Sequence, residues 1–205
     1  AVLTSQTGFK SFFCNDCTDK LDYYTSEWKK LGFQPDGIYT GFLSSEKQVD
    51  KILDFINSFE TENTLVLVDP VMGDGGRTYS LFTDALACKM KKLVTVADVI
   101  TPNLTECCIL CDVDYCEFIK NADKPDFLDK IAELGKNLLN RYGVKIVIIT
   151  GIEHKDIDGT MYVQNLIASK DEVFSVSCKK IGGSYSGTGD LFASVMFSGL
   201  LRGDT

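Results

Sequence analysis

The stretch "TLVLVDPVMGD", Thr64–Asp74, runs from apolar, β-branched residues into an acid, a proline and a second acid. A short apolar run that stops at a turn signal reads as a buried strand. Three more runs have the same character: "DGIYTG" (36–41), "ADVITPN" (97–103) and "VKIVIITG" (144–151). Helical patterns lie between them. "DKLDYYTSEWKKLG" ends at Gly32. "SSEKQVDKILDFINSF" offers Ser44–Ser45 as a cap and Gln48 as a capping-box partner. "YSLFTDALACKMKKLV" and "LTECCILCDV" follow, and "DFLDKIAELGKNLLNRYG" closes on Arg141 and Gly143, both C-terminal signals. Strand–helix alternation predicts an α/β fold with a mainly parallel central sheet covered by helices. The pattern then changes: "TMYVQNLIA" and "EVFSVSC", joined through "SKD", predict a hairpin or sheet edge. With no internal repeat, low-complexity segment or linker, residues 1–205 read as a single domain.

Composition narrows the function classes. The net charge is -8, the three arginines (Arg77, Arg141, Arg202) are scattered and no basic patch is present, which argues against a nucleic-acid partner. No apolar run approaches the ~20 residues of a membrane span, and no signal peptide precedes the first residue. The expectation is a soluble, cytoplasmic protein. Eight cysteines include two C-x-x-C pairs, Cys14/Cys17 and Cys108/Cys111. Cys107, Cys108 and Cys111 fit one turn of an apolar helix, so buried free thiols are preferred to zinc or disulfides. The single histidine, His154, lies in "GIEHKDIDG", which reads as a polar loop. "DVDYCE" reads as another.

In open parallel sheets, ligands bind beyond the carboxyl ends of the strands. Here those ends carry Thr40–Gly41, then Asp69 and Asp74, then Thr101, Asn103 and Glu106, then Thr150–Gly151. Each has a bland reading. Asp69–Pro70 could stop a strand, and Asn103 with Glu106 could cap a helix. All four on one rim point to a site.

"GGSYSGTGDLFAS", Gly182–Ser194, supplies a second component. Gly187-Thr188-Gly189 before an apolar helix can present several N–H groups to an anion, reinforced by the helix N-terminus. No lysine follows, so this is not a Walker A loop. Asp190 is either an N-cap or a general base that takes a proton from an attacking hydroxyl while the N–H groups stabilise the phosphoryl in transit.

Together, "DPVMGD", "TPNLTE" and "SGTGDLFAS" resemble the ribokinase superfamily, and within it the pyridoxal kinases of vitamin B6 salvage. "AVLTSQTGF" resembles that branch's segment before the substrate lid, and "IYTGFL" its next strand end. The resemblance implies a ribokinase-like three-layer α/β/α sandwich. It further implies a homodimer that transfers the γ-phosphoryl of ATP to the 5'-hydroxymethyl group of pyridoxal, pyridoxine or pyridoxamine. By the same resemblance, Asp190 is the catalytic base, and Gly187, Thr188 and Gly189 form the anion hole. Asn103 and Glu106 organise Mg²⁺ and the phosphates, while Asp74 and Tyr79 face the phosphates. Asp69, Thr101 and Thr150 hold a monovalent cation, K⁺ or Na⁺. Thr150, Gly151, Ile181, Gly182 and Gly183 contact the nucleotide, and Thr7 and Phe42 lie near the pyridoxal ring.

Gln6 stands where members often carry histidine, and Phe42 where some carry tyrosine; both bear on substrate choice. Members also begin with a further βα unit and continue into C-terminal helices, so an incomplete domain is expected. Two alternatives stay open. One is a hydroxymethylpyrimidine kinase of thiamine synthesis, a branch that usually has cysteine where Asp190 stands. The other is a non-catalytic nucleotide- or pyridoxal-binding protein of the same fold.

Overall fold

The structure is a computed structural model and describes residues 2–4, 11–80, 82–122, 124–183 and 185–204. β1 (Val2–Thr4) and β2 (Cys14–Asp16) form an antiparallel pair, and a 3-10 turn over Thr18–Lys20 leads into α1 (Leu21–Lys30). There follow β3 (Gly37–Thr40), α2 (Glu46–Phe59), β4 (Leu65–Val68) and a small hairpin of β5 (Gly73–Asp74) and β6 (Arg77–Thr78). Next come α3 (Asp84–Val94), β7 (Val99–Ile100), α4 (Leu104–Cys111), α5 (Tyr115–Ile119) and α6 (Phe127–Tyr142). β8 (Ile146–Lys155), β9 (Met161–Ser169), β10 (Val173–Lys179) and α7 (Thr188–Arg202) complete the order.

The main sheet runs β10-β9-β8-β7-β4-β3. β3, β4, β7 and β8 are mutually parallel, and β9 and β10 add an antiparallel edge, as the change of sequence pattern predicts. Side-chain alternation along β4 divides the interior in two. Val66 and Val68 join the larger core with Ile56 of α2, Met90 of α3, Leu110 of α4 and Ile131 of α6. Leu67 turns to the opposite face and meets Ala193 and Phe197 of α7. Helices therefore cover both faces, giving three layers. Full burial of each such aliphatic side chain stabilises by about 1.5–3 kcal/mol. Gly37 lets α7 approach β3: a Cβ there would come within 2.7 Å of the Phe197 ring.

Several expectations need correction. Thr150–Gly151 does not end the fourth strand. β8 passes through an irregularity between Ile149 and Ile152 and continues against β9, a pairing that a buried-strand pattern cannot reveal. His154 is consequently in β8, not in a loop, with its ring stacked on Tyr162 at 5.5 Å. "DVDYCE" holds α5, because Asp114 accepts the Glu117 N–H at 2.8 Å and caps a short helix. Ser45 caps α2, but Gln48 accepts the Ser44 N–H at 3.0 Å, so the reciprocal box at Ser45 is not made. The last helix is not buried all round: Ala193 and Phe197 are inside, whereas Leu191 and Val195 are exposed. Cys107 and Cys108 are buried on α4, and every described cysteine is a free thiol. No helix among the described residues is long and apolar enough to cross a membrane.

Candidate active site

The ends of β4 and β7, the irregular middle of β8 and the start of α7 open onto one cavity of about 960 Å³. Asp69 and Thr101 come to it from the strand ends, Thr150 and Gly151 from the irregularity within β8, and Asp74 and Tyr79 from the β5–β6 hairpin and its exit. Asn103 and Glu106 reach it from the first turn of α4, and Gly187, Thr188, Gly189 and Asp190 from the first turn of α7. Ile181 and Gly183 line it as well. Gly182 and Phe42 do not line the cavity, and Thr7 lies outside the described residues. Residues separated by more than a hundred positions in the chain thus share one wall.

Local chemistry explains each placement. α4 opens with a complete capping box: Asn103 Oδ1 accepts the Glu106 N–H at 3.1 Å, and Glu106 Oε2 accepts the Asn103 N–H at 2.8 Å. The Asn103 amide also donates to the Gly73 carbonyl at 2.8 Å, which fastens the hairpin to α4. The cap reading of this pair therefore holds, and the same two residues line the cavity. At α7 the N-cap is Gly187, with φ 88°, so Asp190 is the third helical residue and the N-cap reading for it is overturned. The first N–H groups of a helix have no intrahelical acceptor, and the residues that carry them here, Thr188 to Asp190, line the cavity.

The family model described as phosphomethylpyrimidine kinase matches residues 28–205. The chain belongs to the phosphomethylpyrimidine kinase family. A protein of Schizosaccharomyces pombe named a "putative pyridoxal kinase" is 30% identical over 171 residues, covering 82% of this chain and 47% of that protein. The sheep (Ovis aries) pyridoxal kinase is 27% identical over 176 residues, covering 80% of this chain and 54% of the enzyme. The chain spans about half the length of these curated relatives. Among solved structures, a Bacteroides thetaiotaomicron protein named a "putative phosphomethylpyrimidine kinase", crystallised with pyridoxal, superposes with a TM-score of 0.87 at 35% identity. That match covers 100% of this chain and 69% of the other. Pyridoxal kinase from Lactobacillus plantarum has the same fold, with a TM-score of 0.80 at 24% identity over 100% of this chain and 68% of its own. The fold is ribokinase-like.

In this member of the phosphomethylpyrimidine kinase family the site is rich in buried acid. Burial, and then the nearby Asp190 charge, raise the Asp69 pKa to about 7; Thr101 partly opposes this. Burial raises Glu106 to about 8, against the backbone N–H groups of Asn103 and Met72. Burial, followed by Asp74, Glu106 and Asp69, raises Tyr79. Among the described residues no cationic side chain pairs with Asp69, Glu106 or Asp190. Among the described residues the hydroxyl oxygens of Thr40 and Thr101 are buried without a well-formed hydrogen bond, although Thr101 is near enough to Asp69 to affect its acidity. Oxygen donors without a cationic partner fit a bound cation. Among the described residues no three His, Cys, Asp or Glu side chains converge as a ready-made metal cage. Such a set suits an ion that takes the rest of its ligands from phosphate oxygens and water.

Some cavity residues carry no local signal. Tyr115 of α5 packs over Gly76, where a Cβ would meet its ring at 2.5 Å, and Lys180, also lining the cavity, pairs with Glu153 at 2.5 Å. Tyr39 reads as a strand residue and does not line the cavity, yet it stands beside Asp190, which does. Only the folding of α5, the extension of β8 and the packing of α7 bring these to the site.

Proposed function

We propose that the protein transfers the γ-phosphoryl group of ATP to the hydroxymethyl group of a B6 vitamer: pyridoxal, pyridoxine or pyridoxamine. The observation that carries this reading is the position of Asp190, exposed on the first turn of α7 beside the Gly187–Gly189 N–H groups and sharing a cavity with Asn103 and Glu106. Asp190 takes the proton of the acceptor CH₂OH as its oxygen bonds to the γ-phosphorus and the bond to the β–γ bridging oxygen breaks, releasing ADP. The N–H groups of Thr188, Gly189 and Asp190 stabilise the charge on the transferring group. Asp74, Tyr79 and Asn103 line the phosphate path, and Ile181, Gly183, Thr150 and Gly151 flank the nucleotide. Glu106 and Asn103 would hold Mg²⁺, which when bound neutralises phosphate charge. Asp69, Thr101 and Thr150 would hold K⁺ or Na⁺, consistent with the unpartnered Thr101 hydroxyl. The protein acts as a homodimer in the cytoplasm.

A second reading, a hydroxymethylpyrimidine kinase, keeps the same phosphoryl transfer to CH₂OH, and a pyrimidine substrate is in line with the matching family and the Bacteroides protein, both named for a pyrimidine. Both substrates are flat heterocycles bearing CH₂OH. One ADP-release assay tests both: the intact protein is given each B6 vitamer and hydroxymethylpyrimidine in turn, with Asp190→Asn as control. Turnover of a vitamer that falls about 10²–10⁴-fold in the variant supports the proposal. Turnover of the pyrimidine alone replaces it with the second reading. No turnover of any of them leaves a binding protein.

A further inference from the structure

Tyr39 occupies the third position of β3 and pairs in register with Leu67 of β4. That register turns its ring to the face covered by α7, where it packs 6.4 Å from the Phe197 ring. Asp190 and Phe197 are seven residues apart on α7, which is two helical turns, so both lie on the side of the helix facing β3. The tyrosine hydroxyl and the Asp190 carboxylate converge on Gly41. The point where a Gly41 Cβ would stand is 3.6 Å from Tyr39 Oη and 3.9 Å from Asp190 Oδ1. The absent side chain leaves the gap through which the two approach.

Asp190 itself is exposed, and among the described residues no other side chain donates to its carboxylate. Asp69, at the end of β4, is the nearby charge and repels it. A surface carboxylate without a donor samples several rotamers, whereas a general base needs one that meets the acceptor hydroxyl. Tyr39 is the donor within reach. Burial, then the Asp69 and Asp190 charges, raise its pKa well above the usual tyrosine range, so the phenol keeps its proton and remains a donor.

We propose that Tyr39 is a positioning residue for Asp190: its hydroxyl donates to the carboxylate and fixes the orientation in which the base meets the acceptor alcohol. The inference rests on the reading of Asp190 as the base. It extends that reading to a residue on the opposite side of the sheet–helix interface.

A double-mutant cycle in the intact protein tests it, with initial rates of ADP release measured for wild type, Tyr39→Phe, Asp190→Asn and the double variant. Phenylalanine keeps the ring against Phe197 and removes only the hydroxyl. The expected result is a fall in kcat of about tenfold, the scale of one charge-assisted hydrogen bond, with KM for ATP and vitamer within about twofold. In the Asp190→Asn background the same substitution is expected to change the rate by less than about twofold. Equal losses in both backgrounds mean that the tyrosine acts on the fold alone, and the proposal is overturned. The proposal is also overturned if Asp190→Asn is slow while Tyr39→Phe matches wild type. If Asp190→Asn matches wild type, the base assignment fails first and the Tyr39 role goes with it.

Discussion

Glu106 and Met72 are joined by one hydrogen bond: Oε1 of the α4 glutamate accepts the Met72 N–H at 3.0 Å, across 34 residues of sequence. The other oxygen closes the capping box on Asn103. One carboxylate therefore ties the loop after β4 to the helix after β7 and sets the floor of the candidate phosphate path.

Removal of that carboxylate should cost stability as well as activity. Glu106→Ala leaves the Met72 and Asn103 N–H groups without acceptors, at about 1–3 kcal/mol for each that stays buried. Urea unfolding is expected to show a loss of about 2–4 kcal/mol, with a raised KM for ATP. An unchanged unfolding midpoint would contradict the double anchoring.

Gly187 tests the helix entry. Its φ of 88° lies in the left-handed region, which costs an L-residue about 1–2 kcal/mol. Gly187→Ala should relieve that strain by turning the first N–H groups of α7 away from the cavity. Steady-state kinetics is expected to show kcat reduced about tenfold or more, with smaller changes in KM. Wild-type kcat in a folded variant counts against the anion-hole role.

The buried acids predict a pH dependence of stability. Asp69 and Glu106 have pKa values raised from 3.8 and 4.5 to about 7 and about 8. Between those limits the folded protein binds more protons than the unfolded chain, so stability falls as pH rises. Their effect is absent below about pH 4 and complete above about pH 8. Surface carboxylates held low, such as Asp112 beside Lys91 and Arg141, act below this window. Melting temperatures of the ligand-free protein should decline from pH 5 to pH 8, roughly, and Asp69→Asn should flatten the slope. A melting temperature that rises across this range refutes the assignment.

Asp112 sets two small effects against each other. It ends α4 with φ 57°, a left-handed geometry that glycine adopts more easily, and it pairs with Lys91 and Arg141. Exposed ion pairs contribute about 0–1 kcal/mol each, and the backbone strain is of similar size. Asp112→Gly is expected to stay within about 1 kcal/mol of wild type, and Asp112→Ala to be the less stable of the two by urea unfolding. The reverse order would mean that the ion pairs outweigh the backbone.

Much of the fold was legible because its signals are local. The β-branched runs at 37–40, 65–68 and 146–149 are strands, and Ser45, Asn103 and Gly143 mark helix ends by their own side chains or lack of one. The rim was legible in part for the same reason, since a parallel sheet delivers the ends of β4 and β7 to one edge, whereas Thr150–Gly151 lies within β8 and Thr40–Gly41 does not line the cavity. His154 and α5 were misread because their structures depend on partners. His154 is held in β8 by β9, and α5 is short, half-exposed and packed over Gly76 through Tyr115.

The order of strands and helices, the caps and the glycine-rich helix entry are properties of residues a few positions apart, and the sequence alone determined them. Tertiary structure decided what meets across long separations. It made Glu106 hold Met72, brought Tyr39 and Asp190 to the same gap at Gly41, and gathered Asp69, Glu106 and Asp190, which have no cationic partner among the described residues, into one cavity. The physical reason is that propensity and capping act through the nearest turn of chain. Burial, charge and hydrogen bonding between distant residues exist only once the layers have packed.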